Sequence, residues 1–190
     1  MSWGAGESPA ERPGALREAL RARLRGLLTA AATRPKLRPV HGWLPFLVFT
    51  MAAPPIALRC GLVAWRPVPA GAVPWLPFVL LVFPTLPEEI VFRGLLMPRA
   101  AAGRRRAAIA VGLSTGAFVL WHPLNAWLFN PGARGLFYDP CFLALVAGLG
   151  IACGTGYAAT RSLWVPVLMH WMTVVVWVGL FGGRNLMLGR

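Results

Sequence analysis

CFLALVAGLGIACGTGYAA, residues 141 to 159, carries no charged side chain. It matches the length of about twenty residues that a helix needs to cross the hydrocarbon core of a bilayer. Residues 42–63, 74–97, 107–128 and 163–182 read as further spans. Together they define an all-α fold, a polytopic transmembrane helical bundle of about five spans. Trp43, Trp65, Trp75, Trp127 and Trp164 fall at or near the span ends, where an indole keeps its ring in lipid and its N–H in water. The connecting loops are short, so successive spans are expected to be antiparallel neighbours. No internal repeat is present, which leaves inverted-repeat transporter architectures without support.

Composition agrees: 57% of the 190 residues are hydrophobic and 13% are charged. The net charge of +13 raises nucleic-acid binding as a possibility, and the distribution of the charge argues against it. Eight of the nineteen Lys and Arg residues precede residue 41, and Arg99, Arg104, Arg105 and Arg106 share one short loop. That is a topology signal. It predicts a cytoplasmic amino terminus, with the Arg99–Arg106 loop and Arg161 on the same side and Arg66, Arg134, Arg184 and Arg190 on the other. The expected location is a prokaryotic cell (inner) membrane. The expected partners are the lipid bilayer and a membrane-associated peptide or protein substrate, with no nucleic acid.

Residues 1–40 form a basic cytosolic tail and residues 41–190 the membrane domain. The tail holds no apolar run resembling a signal peptide and is expected to be retained. Residues 1–13 are rich in Gly, Ser, Pro and Glu and are expected to lack structure. Over 14–31, Leu16, Leu20, Leu24, Leu27 and Leu28 share one helical face, with Arg17, Arg21 and Arg25 on another. This amphipathic helix lies either on the membrane surface or against the protein's own cytosolic face. Cys60, Cys141 and Cys153 are odd in number, sit in apolar segments and lack CxxC spacing. They read as small core residues rather than a disulfide or zinc framework.

Beyond residue 41 the acids are Glu88, Glu89 and Asp139, and the histidines are His122 and His170. All but Asp139 fall inside expected spans, where an ionisable side chain is costly and points to function. Pro84 and Pro87 should interrupt the second span, and Pro87 suits the first turn of a new helix. Glu88 and Glu89 then follow at the positive end of that helix. Glu89 and Arg93, spaced i to i+4, should pair on one face. Glu88, if it does not share Arg93, remains as a carboxylate suited to general base work. Packing of the third and fifth spans around the second would bring His122 and His170 to it, as a hydrolytic or metal-ligating group.

The motifs LPEEIVFRG (Leu86 to Gly94), FVLWH (Phe118 to His122) and SLWVPVLMH (Ser162 to His170) resemble, in order, the EExxxR, FxxxH and third-histidine motifs of the CAAX prenyl protease and bacteriocin-processing family. The resemblance covers about residues 74 to 182. It implies a glutamic-type intramembrane endopeptidase in which Glu88 and His122 activate a water, His170 helps hold the oxyanion, and Glu89 and Arg93 support the site. It implies no cofactor. Family members commonly carry Asn or Asp four residues after the third-motif histidine, and this chain has Val174 there. Asn125 and Thr173 are the nearest polar substitutes. A helix break at Pro123 would turn Asn125 toward the cavity or away from it. The expected role for Asn125 is donor to the oxyanion, and the alternative is capping of main chain freed by the break.

Three other readings compete. Glu88, His122 and His170 could ligate a divalent metal such as zinc, although no HExxH is present. The same residues could form a proton or ion pathway, or the protein could be a non-proteolytic scaffold.

Overall fold

A computed structural model describes residues 11–35, 38–68, 73–98 and 103–183. Residues 1–10 of the stretch expected to lack structure, Arg99, Arg184 and Arg190 lie outside the described residues, and residues 11–13 already belong to the first helix. The elements are α1 (Glu11–Ala32), a 3-10 turn (Val40–Gly42), α2 (Leu44–Arg59), α3 (Leu76–Leu80), α4 (Leu86–Glu89), α5 (Arg104–Leu128), α6 (Arg134–Phe137), α7 (Pro140–Thr160) and α8 (Trp164–Leu180). The described residues form helices without strands, so the all-α bundle stands. The stretches Val40–Arg59, Arg104–Leu128 and Pro140–Thr160 are long and apolar enough to cross a membrane, and Trp164–Leu180 is apolar and shorter.

The second expected span is helical only in pieces. Phe83 is extended, with φ −149° and ψ 125°, between α3 and α4, and Pro87 sits in the first turn of α4. A wide turn over Ile90–Leu95 continues α4. The break expected at Pro123 does not occur, since α5 runs through it, and α2 likewise runs through Pro54 and Pro55. A proline forfeits one main-chain bond and strains the preceding turn. Both helices pack on α7.

α7 is the central helix, in contact with α2, α5 and α8. Its glycines explain why. A Cβ on Gly150 would lie 2.9 Å from Thr115 Cγ2, one on Gly154 3.1 Å from Val111 Cγ1, and one on Gly156 3.0 Å from Met169 Cε. Without hydrophobic driving force in lipid, such close backbone approach supplies the packing. Asp139, the acid outside the spans, caps α7 by accepting from Phe142 N at 2.9 Å. Arg161 ends it in the left-handed region, with φ 57°.

The carboxy-terminal end of the amino-terminal helix packs against the rest of the protein. Leu27, Ala30 and Ala31 pack with Met97, Tyr157, Leu163 and Val167. Trp164 Nε1 donates to Ala31 O at 2.8 Å, and Ser162 Oγ donates to Thr33 O at 2.7 Å. Leu16, Leu20, Leu24 and Leu28 remain exposed, Leu16 by 72%.

The cysteine expectation is corrected. Cys60 and Cys141 form a disulfide across 81 residues, with Cα atoms 6.5 Å apart, while Cys153 is free and buried. The two partners follow α2 and open α7, and only the packing of those helices brings them together.

Gly150→Ala should lower the midpoint of thermal unfolding by several degrees, because overpacking costs about 1–3 kcal/mol. Gly116→Ala, whose Cβ would meet nothing within 4 Å, should be neutral or stabilising. Thermal scans of both purified variants check the contrast, and equal effects would overturn it.

Candidate active site

The expected pair forms: Arg93 Nη1 donates to Glu89 Oε1 at 2.8 Å, with both side chains fully buried. The same oxygen accepts from His170 Nδ1 at 2.9 Å. Arg93 Nη2 donates to Gly150 O at 3.1 Å, and its guanidinium lies 4.7 Å from the centre of the Phe118 ring. Glu89 thus joins α4, α8 and, through Arg93, α7. The cluster leaves Glu89 Oε2 and Arg93 Nε without hydrogen-bond partners among the described residues.

Glu88 turns another way. Successive residues on a helix point about 100° apart, so the two adjacent acids face different surroundings. Glu88 Oε1 accepts from Trp121 Nε1 at 3.1 Å, and Oε2 stands 3.8 Å from His170 Nε2. His170 therefore bridges the two carboxylates, one ring nitrogen to each.

His122 sits on α5 in an aromatic cage. The rings of Phe118, Phe137 and Phe142 approach it at 5.0, 5.1 and 5.6 Å between centroids. Its Nδ1 is 2.9 Å from Phe118 O, an atom that only accepts, so Nδ1 carries the proton and Nε2 presents a lone pair. His122 and His170 both line a cavity of about 360 Å³ whose walls come from α2, α5, α7 and α8 and are almost wholly apolar. Val174 and Thr173 also line it, and the Thr173 hydroxyl is engaged with Met169 O at 2.9 Å.

The fold therefore gathers Glu88, Glu89, Arg93 and His170, and His122 lines the same cavity as His170. Asn125 is not among the residues lining that cavity. Because α5 continues through Pro123, Asn125 stays on the helix, half-buried, and its main-chain oxygen accepts from Phe129 N and Asn130 N at the helix end. The contacts that sequence reading missed are Trp121 to Glu88, His170 to Glu89 and Gly150 to Arg93. Only the angular separation of adjacent acids could have signalled that Trp121 goes to Glu88 and Arg93 to Glu89. No three His, Cys, Asp or Glu side chains are grouped to hold a metal ion among the described residues, which gives the zinc alternative no ligand set.

A membrane helix bundle that buries paired glutamates, an arginine and two histidines beside an apolar cavity has the build of a membrane-embedded hydrolase. The chain belongs to the type II CAAX prenyl endopeptidase Rce1-like family, whose model matches residues 70–176. It is thus an integral membrane protein of a CAAX-type protease family. No curated protein and no solved structure matches it.

Removing either partner of the buried pair strands the other, which costs about 3–5 kcal/mol. Glu89→Gln and Arg93→Ala should each lower folded yield and thermal midpoint together. Monodisperse, wild-type-like behaviour of both variants in detergent would contradict this.

Proposed function

We propose that the chain is an intramembrane glutamic-type endopeptidase that hydrolyses a peptide bond near the end of a membrane-associated substrate. The observation that carries the reading is His170, held by Glu89 through Nδ1 and facing Glu88 through Nε2. A carboxylate that accepts from Nδ1–H fixes the ring, and in the doubly protonated ring Nε2–H is a donor directed toward Glu88.

The chemistry follows from those atoms. Glu88 takes a proton from a water as the water oxygen attacks the scissile carbonyl, with His122 Nε2 as a second acceptor for that water. The carbonyl oxygen becomes an oxyanion, to which the doubly protonated His170 donates from Nε2–H. Glu88 then returns its proton to the departing amide nitrogen, the C–N bond breaks, and an acid and an amine are left. The apolar cavity beside the histidines suits a lipid-attached or hydrophobic chain next to the cleaved bond. Val174 offers no donor, so His170 is the assigned oxyanion donor. Asn125 has no role in this reading, and no metal takes part.

The orientation reading has the amino terminus in the cytoplasm of a prokaryotic cell. Arg104–Arg106 and Arg161 lie toward the same end of the bundle as α1, and the Cys60–Cys141 disulfide lies at the opposite end. A disulfide persists on the oxidising side of such a membrane.

Two outcomes are expected. In proteoliposomes, Glu88→Gln and His122→Ala should each lower cleavage of a farnesylated CAAX peptide about a hundredfold or more, while the proteins still insert. Full activity of either purified variant would sink the water-activation scheme. In intact cells, a membrane-impermeant maleimide should modify Cys60 only after an impermeant reductant is added, and a reporter fused to the amino terminus should be active in the cytoplasm. Labelling without reductant, or an external amino terminus, would overturn the orientation.

A further inference from the structure

A glutamate carboxyl has two chemically equivalent oxygens and a broad, roughly two-fold terminal torsion. Left alone, either oxygen would face the water. In this protein the two are made different. Oε1 accepts from the Trp121 indole at 3.1 Å, and Oε2 faces His170 Nε2 at 3.8 Å. An indole N–H is a donor only. It cannot take the proton that a base removes from water, and its hydrogen bond lowers the basicity of the oxygen it occupies, so the other oxygen is favoured to receive that proton.

Trp121 is itself well fixed. It packs against the core formed by Phe92, Phe118 and Val146, and its ring lies 6.1 Å from that of Phe129. It also directly precedes His122 on α5. One short stretch of helix therefore presents His122 to the cavity and at the same time holds the carboxylate of α4, across 33 residues of sequence.

We infer that Trp121 is a positioning residue that holds Glu88 by Oε1 and so reserves Oε2 as the oxygen that receives the proton of the attacking water. The inference rests on the reading of Glu88 as the water-activating carboxylate. A hydrogen bond to a charged acceptor is among the stronger ones, and losing it lets the carboxylate rotate away from its productive geometry.

The test compares full-length wild type, Trp121→Phe, Glu88→Gln and the double variant in proteoliposomes, with a fluorogenic farnesylated CAAX peptide as probe. Trp121→Phe keeps an aromatic ring and removes the donor. It should lower kcat about tenfold or more with KM within about twofold and the thermal midpoint nearly unchanged. The double variant should be no worse than Glu88→Gln. Incorporation of benzothienylalanine at position 121, which replaces the indole N–H by sulfur within the same outline, should reproduce the loss. Wild-type kcat in Trp121→Phe beside an inactive Glu88→Gln overturns this inference alone. Full activity of Glu88→Gln overturns the reading beneath it. A second measurement needs no substrate: the indole ¹⁵N–¹H resonance of Trp121, assigned by its absence in Trp121→Phe, should shift in Glu88→Gln while the other tryptophans do not. An unmoved resonance overturns the contact and the inference with it, even if the probe peptide is not cleaved.

Discussion

Glu89 and Arg93 lie where water cannot reach them, and an unpaired charge at such a position costs several kilocalories per mole. Pairing them one helical turn apart removes most of that penalty but leaves further donors and acceptors to satisfy. Arg93 finds Gly150 O on α7, and Glu89 finds His170 on α8. Both contacts demand close approach of neighbouring helices. The glycines of α7 permit it, since a side chain at Gly150 would collide with Thr115. The ion pair therefore dictates the packing around it, and the packing in turn delivers His170 to Glu88.

Much of this was legible in the sequence. Segments lacking charge over a bilayer's length are read directly from composition, and the helices α2, α5, α7 and α8 fall within a few residues of the expected spans. The break before α4 was legible because Pro84 and Pro87 stand close together before two acids, and the Glu89–Arg93 pair was legible because i to i+4 spacing is local. What stayed hidden is non-local. The Cys60–Cys141 bond and the contacts Trp121 to Glu88 and Glu89 to His170 join residues far apart in sequence, with no spacing rule to mark them. At Pro123 a local rule about proline was overridden, since α5 continues through it while packed on α7.

The match to the family covers residues 70–176, and so contains every side chain assigned to the chemistry. It does not include α1 or α2. Yet α2 supplies a wall of the cavity through Phe46, Phe49, Thr50 and Ala53. The space beside the chemistry is thus shaped partly by residues outside the matched region. That wall can differ without disturbing the buried cluster, which its charges tie in place.

The Cys60–Cys141 bond encloses the broken span and α5 in one covalent ring, with Glu88 and His122 inside it and His170 outside. In the proposed orientation this has a meaning for assembly. The two thiols can meet only after an even number of crossings has been completed between them. The broken span, with two acids and an arginine, is the segment that a translocon would most readily refuse. If it failed to cross, Cys141 would emerge on the wrong side of the membrane and Cys60 would find no partner. Closure of the ring therefore records that the most polar segment of the protein has been threaded correctly.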